Sequence, residues 1–162
     1  MRALYWVVLV VLAVFVWLNV RFAYKVPSRV DILQSSLADF DPKMLLEKQP
    51  IVIQDRVDSM LPMCNNLFKY NRRSTFEITP ELEWIRNRHK FMLLHAMEDS
   101  EIMLCYPLCR ADKGVPDTSE EVITIKLYKG MSLVVPYRWY LATNRPIHAC
   151  GAHDLFTYLL PS

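Results

Sequence analysis

The sequence predicts a mainly β body with a short helical lead-in, carried behind one apolar N-terminal helix. Three observations point there. Ala3 to Val20 contains no charged side chain, and its one strongly polar residue is Asn19. From Ser74 onward, short runs rich in β-branched and aromatic residues alternate with polar turns. The chain has 162 residues, enough for one domain of ordinary size. With 52% hydrophobic residues and only 3 glycines, it is neither generally disordered nor a Gly-rich low-complexity chain.

The apolar run comes first. Eighteen helical residues rise about 27 Å, close to the hydrocarbon thickness of a thin bilayer. A helix in lipid satisfies its own backbone, so a valine-rich run is no obstacle there. Tyr5 and Trp6 near one end, and Trp17, Phe22 and Tyr24 near the other, suit the headgroup region. Residues 1–25 therefore read as a transmembrane anchor with a basic flank, 26–50 as linker and helical lead-in, and 51–162 as a β domain. A cleaved signal peptide is the competing reading, but its apolar stretch would be unusually long and no clear A-x-A site follows.

Charge is distributed unevenly. Residues 1–29 carry Arg2, Arg21, Lys25 and Arg29 and no acid, which leaves 15 of the 19 basic side chains in the rest of the chain against all 17 acidic ones. The body is thus no basic nucleic-acid module, and no specific nucleic-acid partner is expected. Arg21, Lys25 and Arg29 follow the apolar run and outnumber Arg2 before it, so the positive-inside tendency predicts a cytoplasm-facing body. The absence of any N-x-S/T sequon and of a spaced cysteine framework agrees with that. Lys25 and its neighbours are well placed for anionic headgroups.

Within the lead-in, Ile32, Leu33, Leu37, Phe40, Met44 and Leu45 fit short helical turns broken at Asp41-Pro42. Ile51–Ile53 reads as a buried strand, and Val57–Phe68 as a helix interrupted by Pro62. Further strands are expected at Thr75–Ile78, Lys90–His95, Glu101–Tyr106, Val122–Tyr128, Ser132–Val135, Trp139–Ala142 and Ile147–Cys150. Thr79-Pro80 should open one helical turn over Glu81–Arg88. Ala96–Ser100 suits a hairpin connection, Asp112–Glu121 a loop, and Lys129-Gly130 the turn of a tight hairpin. The strand series suggests an antiparallel sandwich or barrel.

Two stretches resemble the cupin-like domains related to the JmjC group. Lys48-Gln49-Pro50-Ile51-Val52-Ile53 looks like their opening strand. Gly130 to Pro136, followed by Tyr137-Arg138-Trp139, resembles their second motif, in which a glycine precedes a proline by six positions and a turn follows. The resemblance covers roughly residues 45–155 and implies a cupin-like barrel or sandwich. It departs at the ligand: Leu141 stands where metal-binding members place histidine, and no H-x-H, H-x-D or H-x-E occurs, so no cofactor is expected. The layout of an N-terminal span, V-D-I-L-Q-x-x-L, K-Q-P-I-V-I and W-x-x-N-R-H-K-F also looks like small anchored proteins of large double-stranded DNA viruses. That likeness would imply a virion-membrane or minor capsid-associated role beside capsid proteins.

Candidate chemistry is sparse. His89, His95, Glu98 and His148 are the residues from which an iron or zinc site, and hence an oxygenase-like enzyme, could be drawn. A hydrogen-bonded core role fits His95 better. Cys105-x3-Cys109 with Cys64 and Cys150 allows zinc, a disulfide, or buried or free thiols, with thiols favoured. His153-Asp154 lacks a nucleophile elbow or a Gly-rich loop to make a hydrolase. Lys69, Tyr70, Arg72 and Arg73 form a possible interaction surface, while Trp84, Trp139, Tyr137 and Tyr140 suit core or rim packing. The expectation is a single-pass, non-enzymatic protein whose partners are the bilayer and neighbouring membrane-apposed proteins.

Overall fold

The computed structural model describes residues 2–25, 27, 29–80, 84–107, 111–112, 115–116, 122–154 and 157. Helix α1 (Arg2–Tyr24) leaves the body as a bare rod, with no residue of its most apolar stretch, Leu4–Phe22, buried. Nineteen such residues rise about 28 Å, so by length and composition the helix can cross a membrane. Asn19, in the midst of its apolar side chains, donates its side-chain amide N–H to Phe15 O at 2.8 Å, a bond made within the helix.

After the linker come β1 (Leu33–Ser35), a 3-10 helix (Pro42–Glu47) and β2 (Ile51–Ile53). Asp41-Pro42 starts the 3-10 helix where the sequence pattern suggested a break. The Asp41 carboxylate accepts from the Lys43 N–H at 2.9 Å, and Pro42 occupies a first-turn position that needs no donor. Helix α2 (Met60–Leu67) tolerates Pro62 for the same reason: the first-turn N–H groups have no intrahelical acceptor.

The remaining strands are β3 (Arg72–Ile78), β4 (Ile85–Arg86), β5 (Phe91–His95), β6 (Ser100–Cys105), β7 (Ala111–Asp112), β8 (Val115–Pro116), β9 (Val122–Leu127), β10 (Ser132–Pro136), β11 (Tyr140–Thr143) and β12 (Ile147–His153). One sheet runs β1-β2-β10-β5-β12-β3, a second β4-β11-β6-β9, and β7-β8 form a ribbon. Among the described residues no barrel closes, and β1 pairs with β2 in parallel, so the fold is a two-sheet sandwich that is not wholly antiparallel. The helical turn expected over Glu81–Arg88 is replaced at Ile85–Arg86 by pairing with Leu141–Tyr140. Residues 81–83, most of the expected loop 112–121, Cys109 and nearly all of 155–160 lie outside the described part.

The two expected hairpins are instead crossings between sheets. Ala96–Asp99 carries the chain from β5 in the large sheet to β6 in the small one, and Lys129-Gly130 carries it back from β9 to β10. The two crossings brace each other: Gly130 N donates to Ala96 O at 2.8 Å, and Ala96 N to Met131 O at 3.0 Å. Gly130 has φ +85 and sits against Arg56 and Val57, which is why glycine occupies the corner.

The large sheet is apolar on both faces. One face meets the small sheet through Val52, Met92, Leu94, Leu133 and Ile147 against Ile102, Leu104 and Leu141. On the other, Ile51, Ile53, Phe91, Leu93 and Val134 are covered by Met60, Met63 and Phe68 from the α2 side. This explains why β5 and β10 read as continuous apolar runs instead of alternating ones. A disulfide joins Cys64 on α2 to Cys150 on β12 beneath that cover, and Cys105 is disulfide-bonded as well. The expectation of thiols is thus corrected at all three described cysteines.

Leu133 is fully buried between the sheets. Leu133→Ala should lower unfolding free energy by about 2–5 kcal/mol, read as a drop in the urea midpoint with an unchanged slope.

Candidate functional site

The strongest constellation lies where α1 meets the body. Lys48 has a left-handed backbone (φ 57) and is only 3% exposed, which is unusual for lysine. Its ammonium donates to Phe22 O and to Lys25 O, both at 2.8 Å. These carbonyls belong to the last turn of α1 and the residue after it, where helical acceptors lack partners and the dipole favours a cation. The same ammonium lies 5.0 Å from the Phe22 ring and 6.0 Å from that of Tyr137. Burial, then the nearby Arg138 and Lys25 charges, push its pKa down to about 8, so it is predominantly protonated at neutral pH.

The flanking residues complete a clamp. Gln49 donates to Arg29 O and accepts from Asp31 N, which holds the linker. Tyr106 donates its hydroxyl to Pro27 O. Trp139, fully buried, donates its indole N–H to Lys48 O at 3.2 Å. The two stretches that carry the cupin resemblance therefore meet at this junction. Phe22 packs into the apolar layer beside Phe91, with ring centroids 5.9 Å apart. The sequence pattern marked Lys48-Gln49 only as a strand opening. A lysine and a glutamine directly before a Pro-led buried strand were the available signal for their role.

The candidate metal ligands do not assemble. His95 and His148 are cross-strand partners on β5 and β12, and register extends the row to Glu77 on β3 and Ser132 on β10. Neither Glu77 nor Ser132 stood out in the sequence. Cross-strand neighbours on one face step about 5 Å apart, so such a row is linear and does not converge on one point. His95 is buried, and its Nδ1 lies 2.9 Å from Ser132 Oγ; burial, then His148, lowers its pKa. Glu98 instead pairs with Arg145 at 2.6 Å. Among the described residues no three His, Cys, Asp or Glu side chains are arranged to hold a metal ion.

His89 stands apart from that row. Its Nδ1 is 2.7 Å from His153 Nε2, and Phe76 stacks on its other side. A Cβ on Gly151 would come within 2.3 Å of the His89 ring, so the strand leaves space for the imidazole only with glycine there. His153 thus turns to His89. Its neighbour Asp154 pairs with Lys90 at 2.8 Å, so no hydrolase triad forms at His153-Asp154. Burial opposes ionisation of Asp154, but hydrogen bonds from Lys90 and Thr157 outweigh it and hold the carboxyl below its usual range.

The other candidate residues are dispersed. Tyr5, Trp6 and Trp17 are exposed on α1, with the Arg21 guanidinium 5.3 Å from the Trp17 ring; the side chains of Arg2 and Tyr24 lie outside the described part. Arg29 pairs with Asp31 at 3.2 Å. Lys69 lies over the ring of Tyr70, which is 93% exposed, while Arg72 and Arg73 begin β3 at the outer edge of the large sheet. Trp139, Tyr137 and Tyr140 are buried and Trp84 packs beside Tyr140, in line with a packing role. At the opposite end of β5 from the junction, Arg56, Asp58, His95, Met97 and Lys129 line an open cleft of about 440 Å³. No protein-family model matches the chain, and no curated protein sequence matches it.

Two outcomes are expected. Lys48→Met keeps the buried stem but leaves the α1 carbonyls without their cation. It should speed tryptic cleavage after Lys25 and Arg29 in membrane-reconstituted protein, with the strands still folded by circular dichroism. Separately, burial and then His153 push the His89 pKa down to about 4, from about 6.5 for a free imidazole. The unfolded chain therefore takes up a proton that the folded one resists. Stability should be complete above about pH 6.5 and fall toward pH 4. Urea midpoints across that range should show the fall, and His89→Gln should flatten it.

Proposed function

We propose that this protein is a single-pass, membrane-anchored, non-catalytic binding module whose β body is held at the membrane by the Lys48 clamp. The clamp is the observation that carries the reading. A buried lysine spent on the end of an otherwise bare apolar helix ties that helix to the fold, as expected of a permanent anchor and not of a removable leader. Confining a body to a surface raises its effective concentration toward partners on the same surface. The exposed Lys69, Tyr70, Arg72 and Arg73 and the cleft beside His95 are the polar surfaces it offers to neighbouring proteins.

The body is further proposed to face an oxidising compartment. Flanking charge favours the opposite orientation, but that bias is a tendency, and long domains translocate largely regardless of it. Disulfides such as Cys64–Cys150 persist in secretory, luminal or periplasmic space and are rare where glutathione keeps thiols reduced.

Arg72→Asn creates the acceptor Asn-Arg-Ser at 72–74, and Glu98→Asn creates Asn-Asp-Ser at 98–100, both on exposed positions. Translated into microsomes, each variant should gain a glycan that an N-glycosidase removes, and the protein should resist alkaline carbonate extraction. Unmodified sequons on a carbonate-resistant protein would reverse the orientation. Release by carbonate would end the anchor reading.

A further inference from the structure

We propose that the body does not stand off from the bilayer but lies on it, with the 3-10 helix Pro42–Glu47 seated among the phospholipid headgroups on the side where α1 emerges. This rests on the anchor reading and adds to it a lipid-contacting surface in the body itself.

The argument begins with length. Leu4–Phe22 matches the hydrocarbon core with nothing to spare, so Phe22 lies at its boundary. A body on a flexible stalk would leave Phe22 to lipid. Here the Phe22 ring packs against Phe91, with the ammonium groups of Lys48 and Lys90 at 5.0 and 5.2 Å. Because the fold grips the helix at its last apolar residue, the protein surface around that grip falls at headgroup depth.

That surface has the composition the position demands. Lys25, exposed, donates its ammonium to Leu46 O at 3.4 Å, which joins the 3-10 helix directly to the end of α1. Leu46 itself is 58% exposed, an apolar side chain without cover next to Met44 and Leu45, which pack inward. Lys43, also exposed, lies one turn earlier. Arg21 and Arg138 flank the same end, since Tyr137 N and Arg138 N bond to Lys90 O and Asn87 O there. Among the described residues, the acids of this region include Asp31 and Asp154, paired with Arg29 and Lys90, and the exposed Asp41 and Glu47. An exposed leucine between Lys43 and the ammonium of Lys25 fits an anionic phospholipid interface, where the lysine stems lie in the apolar boundary and their charges reach phosphate.

The opposite end supplies the control. From Phe91 to His95 the chain runs along β5 away from the junction, about 13 Å at strand rise, and Met97 lies in the crossing just beyond. Met97 is 44% exposed against 58% for Leu46, so both are open to solvent, but Met97 lies on the membrane-distal rim.

The test uses the full chain in vesicles of phosphatidylcholine and phosphatidylglycerol, with a photo-reactive residue placed singly at Leu12, Leu46 or Met97. All three positions are exposed, so the fold should tolerate them. Lipid should be labelled at 12 and at 46, with position 46 several-fold above position 97. Labelling at 12 but no more at 46 than at 97 would overturn the seated body while leaving the anchor intact. No labelling at 12 would remove the anchor, and this inference with it. In pure phosphatidylcholine, labelling at 46 should fall. Labelling that is unchanged there would overturn the anionic preference.

Discussion

A single buried ammonium sets the relation between the two parts of this protein. Charge is costly to remove from water, and Lys48 offsets part of that cost where α1 ends beside it with carbonyls and aromatic faces. The dependence is mutual. The lysine satisfies acceptors at the helix end, and the helix end supplies acceptors to the lysine. Trp139, bonded to the Lys48 carbonyl, carries the constraint into the space between the sheets.

Around that constraint the stretches Lys48–Ile53 and Gly130–Trp139 come together. In the metal-binding pattern, the strand around Leu141 would supply a ligand to the interior. Here Leu141 is fully buried in hydrocarbon, and the conspicuous polar contacts are made before it, at Lys48, Gln49 and Trp139. Four polar groups of the large sheet, Glu77, His148, His95 and Ser132, form a line across the strands instead of a ring around a point. Such a line can hydrogen-bond and present charge, but it does not enclose an ion.

Strand positions were legible in the sequence because β-branched and aromatic runs mark a pleated, buried surface wherever they pair. The eight expected strands at 51–53, 75–78, 90–95, 101–106, 122–128, 132–135, 139–142 and 147–150 all have counterparts. Their connections were not legible. A short polar turn that folds a strand back on itself and one that passes it to the facing sheet use the same residues, as Lys129-Gly130 shows. Nor does local pattern announce a bond between Cys64 and Cys150, 86 residues apart, or the alignment of Glu77 and Ser132 with the two histidines. The clamp was half visible: the lysine stood in a noticed motif, but its partners are carbonyls, which every residue has and no sequence distinguishes.

Because the helix end is bolted to the sandwich, the two turn as one body. With α1 spanning a membrane as proposed, a force on the rim near Met97 would reach the span as torque and tilt it in the lipid. Tilt is what couples a helix of fixed length to membrane thickness. On that reading, a force applied to the domain is coupled to the thickness of the membrane around the span.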